Sequence, residues 1–580
     1  MTAPALPSLT RLARGADGVV LLSRVAAVAG VLLGIGLMPW WSSHDPALTV
    51  LRASSTEREA TEEVVASLRR RLGIQDGPWA TIGHWLARLA HGDLGTSWVS
   101  GQPVAHGTGQ ALAVSLTLMA AAMALALLIA VGLMVPALRD GLAGRQRRRS
   151  GALGAALTAL PEYLLAPVLV LSVCVGLGWL PPYGWGRAEQ VILPVVSLGV
   201  PAGGLLGALA VDAVTEVFRQ HWVTTWVTAD IRGRRLVLAV LHQALVPLLG
   251  QVALVVVGLT GAGVAVEKVF AVPGLGRALL GAASAQDVPA LQAGMLLLLL
   301  AALVAGARPA PLRRGLAGGA DGTGSLAAAP PAQPSGRTSL VLALAGSGGL
   351  AVLMLLGAGR DPYAVVASRL AGPTASLPLG ADALGRDLLA RVAHGAVATL
   401  SSAVVVTGAC LVIGILAGLL PRASTGLVEV GNAVPAVLAG LVVAAVAGPS
   451  RHGAAMAVAC VSWAPLGAHA AALMRSVRER PDVVMAPALG EPSWLTTLTR
   501  VLPAVVPVLV RHAALRLPGV ALALTGLGFL GLGAKAPSPE WGLVLAEGLA
   551  YLERAPWAAG APALALVALA VSALATSRVR

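Results

Sequence analysis

The chain has 580 residues, of which 56% are hydrophobic and only 12% are charged. Soluble domains carry about 25% charged residues, so this composition excludes an ordinary water-soluble enzyme. A disordered chain is excluded as well, because disorder requires abundant charge and few large apolar residues. The net charge of +14 would suit nucleic-acid binding in a soluble protein. Here the arginines stand between long apolar stretches, which favours a membrane protein instead.

Apolar stretches long enough to cross a hydrocarbon core of about 30 Å, which takes about 20 helical residues, recur along the whole chain. Twelve are predicted, near 20–41, 111–137, 153–178, 190–212, 236–262, 289–307, 338–358, 395–420, 425–448, 453–474, 501–527 and 560–577. No small-residue cleavage site closely follows the first, so we expect an uncleaved anchor rather than a signal peptide. The predicted fold class is an all-α polytopic membrane protein with twelve transmembrane helices.

The short loops after spans two, four and ten are rich in arginine, as in the cluster Arg145 and Arg147–Arg149. The positive-inside rule places these loops and both termini in the cytoplasm. The region 44–108 then lies outside the membrane, where its charged residues predict an amphipathic helix with a solvated face.

Residues 308–337, between the sixth and seventh spans, are rich in Pro, Gly and Ala and predict a flexible cytoplasmic linker. The linker separates a first half, 1–307, from a second half, 338–580, and each half has six predicted spans.

The two halves repeat one another in three places. Pro161 in the third span of the first half corresponds to Pro435 in the third span of the second. Segments containing Gly and Asp precede the second span of each half, at 91–104 and 377–389. Gly-rich segments with a Phe follow the fifth spans, at 269–277 and 528–542. An even number of spans per half predicts a symmetry axis along the membrane normal and a pathway between the halves.

These segments resemble the two inner-membrane permease subunits of the dipeptide, oligopeptide and nickel ABC importers, fused into one chain. The first half is similar through HWLARLAHGDLGTS at 84–97 and VFAVPGLGR at 269–277. The second half is similar through LPLGADALGRDLLARVAHGA at 377–396 and FLGLGAKAPSPEWGLVLAEG at 529–548. The resemblance implies two six-helix permease repeats in a bacterial inner membrane. It also implies a pathway for peptides, nickel or metal chelates, without choosing among them.

The resemblance further implies that a short helix in the loop between spans four and five of each half docks on an ATPase. The matching residues in the second half are Ala486, Ala488, Leu489 and Gly490. The candidates in the first half are Ala229, Asp230 and Gly233, in a segment that departs further from the family pattern, with Ala229 or Asp230 where Gly is expected. The sequence departs from the family pattern at Val484, where Glu is favoured, and at Pro487, where Arg is usual. Ordinary amphipathic loop helices are the alternative interpretation.

The lysines decide whether this chain can hold ATP itself. A P-loop needs a Gly-Lys pair, but Lys268 follows Glu267 and Lys535 follows Ala534. We therefore expect no cofactor in this chain and ATP with Mg²⁺ on two separate ATPase subunits or domains. The resemblance also implies an external solute-binding protein.

The outer segments are the predicted docking surface for that protein. The residues chosen are Gly92, Asp93, Gly95, Asp382, Gly385, Arg386, Asp387, Glu540 and Trp541. For the glycines, tight turns at the ends of spans are an equally good interpretation.

Two carboxylates near the inner ends of their spans, Glu162 and Glu429, are candidates for the pathway; the alternative is an interfacial carboxylate facing water or an arginine. The three cysteines and ten histidines have no metal-ligand spacing, so no metal site and no catalytic residue are predicted.

Three other classes of protein are the alternatives. A secondary active transporter with twelve spans would need ionisable relay residues deep in the spans, and few are present. An intramembrane enzyme would need a catalytic constellation at bilayer depth. A structural scaffold would leave the duplicated loops without a purpose.

Overall fold

The computed structural model describes residues 9–41, 51, 62–71, 77–145, 152–158, 161–307 and 337–578. Within these ranges the chain is helical, and its strand-like pairings are three isolated bridges. The predicted linker lies outside the described residues except for Arg337, as do Arg147–Arg149.

Twelve helices are described in the first half, and a π-helical turn (Val170–Gly176) continues the seventh. They are α1 (Leu9–Gly36), α2 (Met38–Trp41), α3 (Glu62–Arg71), α4 (Pro78–Ala90), α5 (Val104–Leu142), α6 (Ala152–Thr158), α7 (Glu162–Leu169), α8 (Ala188–Phe218), α9 (His221–Thr228), α10 (Arg234–Val269), α11 (Leu275–Ser284) and α12 (Val288–Ala307).

Ten helices are described in the second half, with a 3₁₀ turn (Pro487–Leu489) and a π-helical turn (Thr497–Val501) between them. They are α13 (Arg337–Ala358), α14 (Leu388–Leu419), α15 (Pro421–Ala433), α16 (Ala436–Ala447), α17 (Arg451–Arg478), α18 (Pro481–Val484), α19 (Ser493–Thr496), α20 (Leu502–Leu530), α21 (Trp541–Leu549) and α22 (Pro556–Arg578).

Each predicted span coincides with a helix or helix pair, but not all are long enough to cross a membrane alone. Among the described residues, seven helical segments are long and apolar enough, or eight if a bent pair counts as one span. Four further apolar helical stretches are shorter, at Glu162–Gly176, Val288–Ala301, Ala343–Ala358 and Pro556–Ser572. An all-α polytopic membrane protein is therefore confirmed, while the number twelve stays a prediction.

The ninth predicted span is broken rather than continuous. Helices α15 and α16 meet at an angle of 91°, because Pro435 begins α16 in an extended conformation with φ −65° and ψ 143°. Pro161 begins α7 with nearly the same angles, φ −60° and ψ 146°. The two prolines aligned from the sequence thus have the same backbone role.

Glycines bring the second and fourth spans of each half into close contact. In the first half, Gly199, Gly203 and Gly207 of α8 lie directly against α5. In the second half, Gly414 and Gly418 of α14 lie against α17 in the same way. Small residues four apart allow such close backbone approach in lipid, where packing rather than the hydrophobic effect holds helices together.

The chain forms two compact units that do not coincide with its halves. The first contains residues 1–94 and 399–524, and the second contains 95–398 and 525–580. In the first unit, α1 packs against α15 and α4, and α17 packs against α15 and α16. In the second unit, α8 packs against α5, α6 and α10, while α13 packs against α22. Helix α1 of the first half is therefore packed with helices of the second half.

Candidate coupling and docking sites

The predicted coupling segment of the second half, 484–507, follows the arginine-rich end of α17. Ala486 is buried, whereas Ala488 is exposed and Leu489 is 80% exposed. Gly490 has φ +86°, a left-handed conformation that glycine adopts without strain. The segment thus turns sharply after Leu489 and leaves this leucine projecting from the protein.

Further apolar side chains are exposed around Leu489. An ion pair also holds the segment in place. Val484, Met485 and Trp494 are all more than half exposed. Glu491 accepts hydrogen bonds from Arg500, with Oε2 2.7 Å from Nη2, and this guanidinium holds the pKa of Glu491 below its usual range. The segment therefore presents an apolar surface on a fixed support.

The corresponding segment of the first half is anchored by α9. Val223 of α9 is buried with Val214, Val217 and Leu236, and the rings of Trp222 and Trp226 meet edge to face at 5.3 Å. A cavity of about 470 Å³ beside α9 is lined by Asp140, Arg145, Thr215, Phe218 and Arg219, among others.

The turn after α9 identifies the counterpart of Gly490. Ala229 ends the helix, Asp230 has φ 58° and Gly233 has φ 65°. Asp tolerates this left-handed conformation better than most residues do. Asp230, but not Ala229, therefore has a positive φ like that of Gly490 in the second half.

The outer segment of the second half is folded around buried charges. Asp382, Arg386 and Asp387 are each 4% exposed. Asp382 Oδ2 lies 2.6 Å from Nε of Arg386 and 2.7 Å from Nη1 of Arg391, and Arg391 is fully buried. Nη1 of Arg391 also lies 2.7 Å from Oε2 of Glu547. These charges tie the segment to α14 and α21.

The same hydrogen bonds control the ionisation of Asp382. Burial by itself would raise the pKa of this carboxyl group. Hydrogen bonds from the backbone N–H groups of Arg386 and Leu384 and from the Arg386 side chain, together with the charge of Arg391, hold the pKa below its ordinary value instead. Asp382 is thus a structural anion.

Asp387, Glu540 and Trp541 complete this buried arrangement. Oδ1 of Asp387 accepts a hydrogen bond of 2.8 Å from the backbone N–H of Leu389, in the first turn of α14. Trp541 is fully buried and donates its indole N–H to the carbonyl oxygen of Val392 at 2.7 Å. Glu540 is 5% exposed.

Five of the predicted docking side chains consequently cannot contact an external partner directly, because they lie inside the protein: Asp382, Arg386, Asp387, Glu540 and Trp541. Gly385, also buried, has φ +81°, and a Cβ atom there would lie 2.2 Å from the carbonyl oxygen of Ala367. The turn interpretation therefore fits Gly385, and the segment as a docking surface stays a prediction.

The outer segment of the first half is more accessible. Gly92 and Asp93 are exposed, and Gly92 and Gly95 both have positive φ, which fits tight turns after α4. Following Gly95, the side chain of Asp287 accepts hydrogen bonds from the hydroxyl of Ser97 and from the backbone N–H of Trp98. This aspartate ties the segment to the loop before α12.

A buried carboxylate near the end of α10, which the sequence did not single out, accepts a hydrogen bond from the first turn of the outer helix α11. Glu267 is 2% exposed, accepts the Ser115 hydroxyl at 2.5 Å and accepts the backbone N–H of Arg277 at 2.9 Å. A Cβ atom on Gly274 would lie 2.2 Å from this carboxylate, so a side chain there would displace the carboxylate from its present position. Glu267 and Lys268 stand directly before the Gly-rich segment VFAVPGLG in the sequence. A carboxylate beside such a turn is the sequence signal from which this contact could have been predicted.

The two pathway candidates have different surroundings. Glu429 forms a bidentate ion pair with Arg24 of α1, which fits the alternative of a carboxylate facing an arginine. Glu162 is half-buried in the first turn of α7. A role for either residue in the pathway stays a prediction. Among the described residues, no three His, Cys, Asp or Glu side chains are grouped so that they could hold a metal ion.

Comparison with known proteins identifies the family. Two parts of the chain, residues 147–307 and 410–578, match the family described as binding-protein-dependent transport system inner membrane component. These matches cover more than half of the chain, which belongs to this family. The domain occurs once in each half, so the duplication predicted from the sequence is confirmed.

Each of the individual relatives is a permease protein that aligns with less than half of this chain. A metal-staphylopine import system permease protein of Staphylococcus aureus is 29% identical, with 90% of its length and 48% of this chain aligned. A di/tripeptide transport system permease protein of Pseudomonas aeruginosa is 33% identical, with 71% of its length and 36% of this chain aligned. A glutathione transport system permease protein of Pectobacterium atrosepticum is 30% identical, with 78% of its length and 41% of this chain aligned.

The chain is thus a multi-pass inner-membrane permease of an ABC importer, with two homologous permease halves in one polypeptide. This finding sets aside the secondary transporter, the intramembrane enzyme and the scaffold. As a permease component, the chain is a transport protein rather than an enzyme.

Proposed function

We propose that this permease imports peptides, nickel or metal chelates and is driven by two separate ATPase subunits or domains that bind ATP with Mg²⁺. An external solute-binding protein delivers the solute to the outer segments. Both termini face the cytoplasm, and the domains are a first permease half (1–307), a cytoplasmic linker (308–337) and a second half (338–580). The names of the relatives, which are metal-staphylopine, di/tripeptide and glutathione permeases, support this range of solutes.

The exposed apolar surface around Leu489 carries the proposal of ATPase docking. Leu489 is 80% exposed and Trp494 is 65% exposed in a loop beside the arginines Arg475, Arg478 and Arg480. Because the positive-inside rule places this loop in the cytoplasm, lipid does not cover these side chains. Exposed apolar groups rimmed by polar residues are typical of protein interfaces. An ATPase cleft is the occupant that the family membership supports.

Transport energy enters through this surface in the proposed mechanism. ATP binding brings the ATPases together, and the closed pair has a higher affinity for one state of the permease than for the other. A rigid segment is needed because a loose loop would absorb the movement. The turn at Gly490 and the pair of Glu491 with Arg500 provide that rigidity.

Reconstitution tests this proposal. The full chain is placed in proteoliposomes with its ATPases and solute-binding protein, and ATP hydrolysis and solute uptake are measured. Leu489→Asp is expected to lower both by about tenfold, since it places a charge in an apolar interface core. Leu420→Asp is the matched control, because Leu420 is 67% exposed and lies in another cytoplasmic loop. Equal effects of the two variants, or uptake without ATP, would overturn the proposal.

A further inference from the structure

Two histidines and one arginine form a cluster inside the membrane-spanning helices of the second half. The rings of His469, on α17, and His512, on α20, are stacked with their centroids 4.4 Å apart. Arg516 lies one turn further along α20 and is close enough to interact electrostatically with both imidazoles. The thiol of Cys410, on α14, also interacts with Arg516. All four residues belong to the same compact unit.

Arg516 lies in the middle of α20, fourteen positions from either end of Leu502–Leu530. The candidate membrane span that contains it runs over Ser493–Leu530, so Arg516 lies well inside this span rather than near one of its ends. Only arginines near helix ends extend readily to the lipid headgroups. A charge held in mid-membrane is costly and requires a partner or a water-filled space.

The helical register of α20 directs this charge towards protein rather than lipid. Val505, Leu509 and Val520 are buried. His512 and Arg516 fall on the same stripe, because the five positions are separated by steps of three or four residues. Arg511 lies off this stripe and is exposed. The cluster therefore faces neighbouring helices, and the side chains of His469, His512 and Arg516 are each half-buried.

The charge of Arg516 is not balanced by a carboxylate in the part of the chain that the structure describes. Among the described residues, no carboxylate forms an ion pair with Arg516. By contrast, Arg24 of α1 and Arg391 of α14, two other arginines within apolar helices, pair with Glu429 and with Asp382 and Glu547. In the first half, residues 248–266 of the fifth span contain no charged residue.

We propose that His469, His512 and Arg516 form a binding site for a carboxylate of the transported solute. The guanidinium donates two parallel hydrogen bonds to the carboxylate, a geometry for which Arg is suited. The stacked imidazoles donate further hydrogen bonds and exclude lipid from one side. A peptide provides this carboxylate at its carboxyl terminus, and a metal chelate provides it in its ligand. The inference rests on the proposed import of such solutes through this chain.

A transport experiment tests the site and separates the two solute sources. Uptake of dialanine, dialanine amide and nickel citrate is compared in proteoliposomes holding the chain, its ATPases and its solute-binding protein. Arg516→Gln is expected to lower uptake of the carboxylate-bearing solute by about tenfold or more, because a charge-assisted hydrogen bond is lost. Uptake of dialanine falls in this variant if the site binds peptides, and uptake of nickel citrate falls if the site binds metal chelates. Arg511→Gln, on the exposed side of the same helix, is expected to leave the uptake of both solutes unchanged.

Chemical modification provides a measurement that needs no partner proteins. The full chain in lipid nanodiscs is treated with phenylglyoxal, which modifies arginine, and mass spectrometry compares Arg516 with Arg511. Dialanine or nickel citrate, but not dialanine amide, is expected to protect Arg516 selectively. An Arg516 that is unreactive, or equally reactive with and without every probe, overturns the site. Either result leaves ATP-driven transport itself intact, so the two proposals fail separately.

Discussion

Arg24 and Glu429, 405 positions apart in the sequence, form a bidentate ion pair in which Nε and Nη2 of the arginine each lie 2.7 Å from a carboxylate oxygen. The neighbouring Ser23 donates its hydroxyl to the carbonyl oxygen of Ala423 at 2.6 Å and accepts the backbone N–H of Gly426 at 2.9 Å. These contacts fix α1, from the first half, on α15, from the second half.

Removing the two charges, and then exchanging them, tests the contribution of this ion pair to stability. Glu429→Gln and Arg24→Gln are each expected to lower the thermal stability of the detergent-solubilised protein slightly. The coupling energy should be less than about 1 kcal/mol, because both side chains are half-exposed and solvent screens their interaction. The double variant Arg24→Glu with Glu429→Arg should recover stability relative to either single reversal. Strict additivity of the two reversals would contradict a direct interaction.

Close backbone packing at Gly426 should matter more than the charges. A Cβ atom at this position would lie 2.3 Å from the carbonyl oxygen of Ser23, so Gly426→Ala forces α1 away from α15. Overpacking of this kind costs about 1–3 kcal/mol, measurable as a lower midpoint of thermal unfolding. Gly408→Ala in α14 is the control, since no heavy atom lies within 4 Å of its Cβ position. If both variants unfold alike, the close contact does not contribute to stability.

Much of this architecture could be predicted from the sequence, because lipid imposes long apolar helices and arginines mark the inner loops. The alignment of Pro161 with Pro435 also predicted a shared structural feature. The 91° break at Pro435 could not be predicted from hydropathy alone, since α15 and α16 together read as one apolar stretch. Helix direction depends on backbone angles that composition does not specify.

The site residues divide in the same way. A glycine-like turn was expected near Ala229 and Asp230, and the backbone angles assign it to Asp230. The charges at Asp382 and Arg386 predicted an accessible surface, but three-dimensional pairing with Arg391 buries them. Pairing between distant helices leaves no periodic signal in a single sequence. For that reason the cluster containing His469 was not predicted.

Removing Arg391 should destabilise the outer segment strongly. Arg391→Met removes the fully buried partner of Asp382 and Glu547 and leaves both carboxylates to Arg386 alone, and breaking a buried ion pair costs about 3–5 kcal/mol. The expected result is a large fall in the thermal midpoint and in yield. Arg369→Met is the control, because Arg369 is exposed and donates to the Tyr551 hydroxyl. If the thermal midpoint of Arg391→Met falls no further than that of Arg369→Met, the buried network does not contribute to stability.

The response to acid should reveal the anionic state of Asp382. Since its pKa in the folded protein lies below the ordinary value of 3.8, this carboxylate stabilises the fold fully above that value. The stabilisation is lost as pH falls through the lower, folded pKa, because protonation removes the charge that Arg386 and Arg391 require.

Denaturant unfolding between pH 3 and pH 7 measures this effect. Asp382→Asn keeps an oxygen for the backbone N–H of Leu384 but lacks the charge, so the variant should be less stable at neutral pH and should lose less stability on acidification. Asp361→Asn, at an exposed position in the loop between α13 and α14, should follow the wild-type profile. Parallel profiles for wild type and Asp382→Asn would mean that another carboxylate dominates acid unfolding.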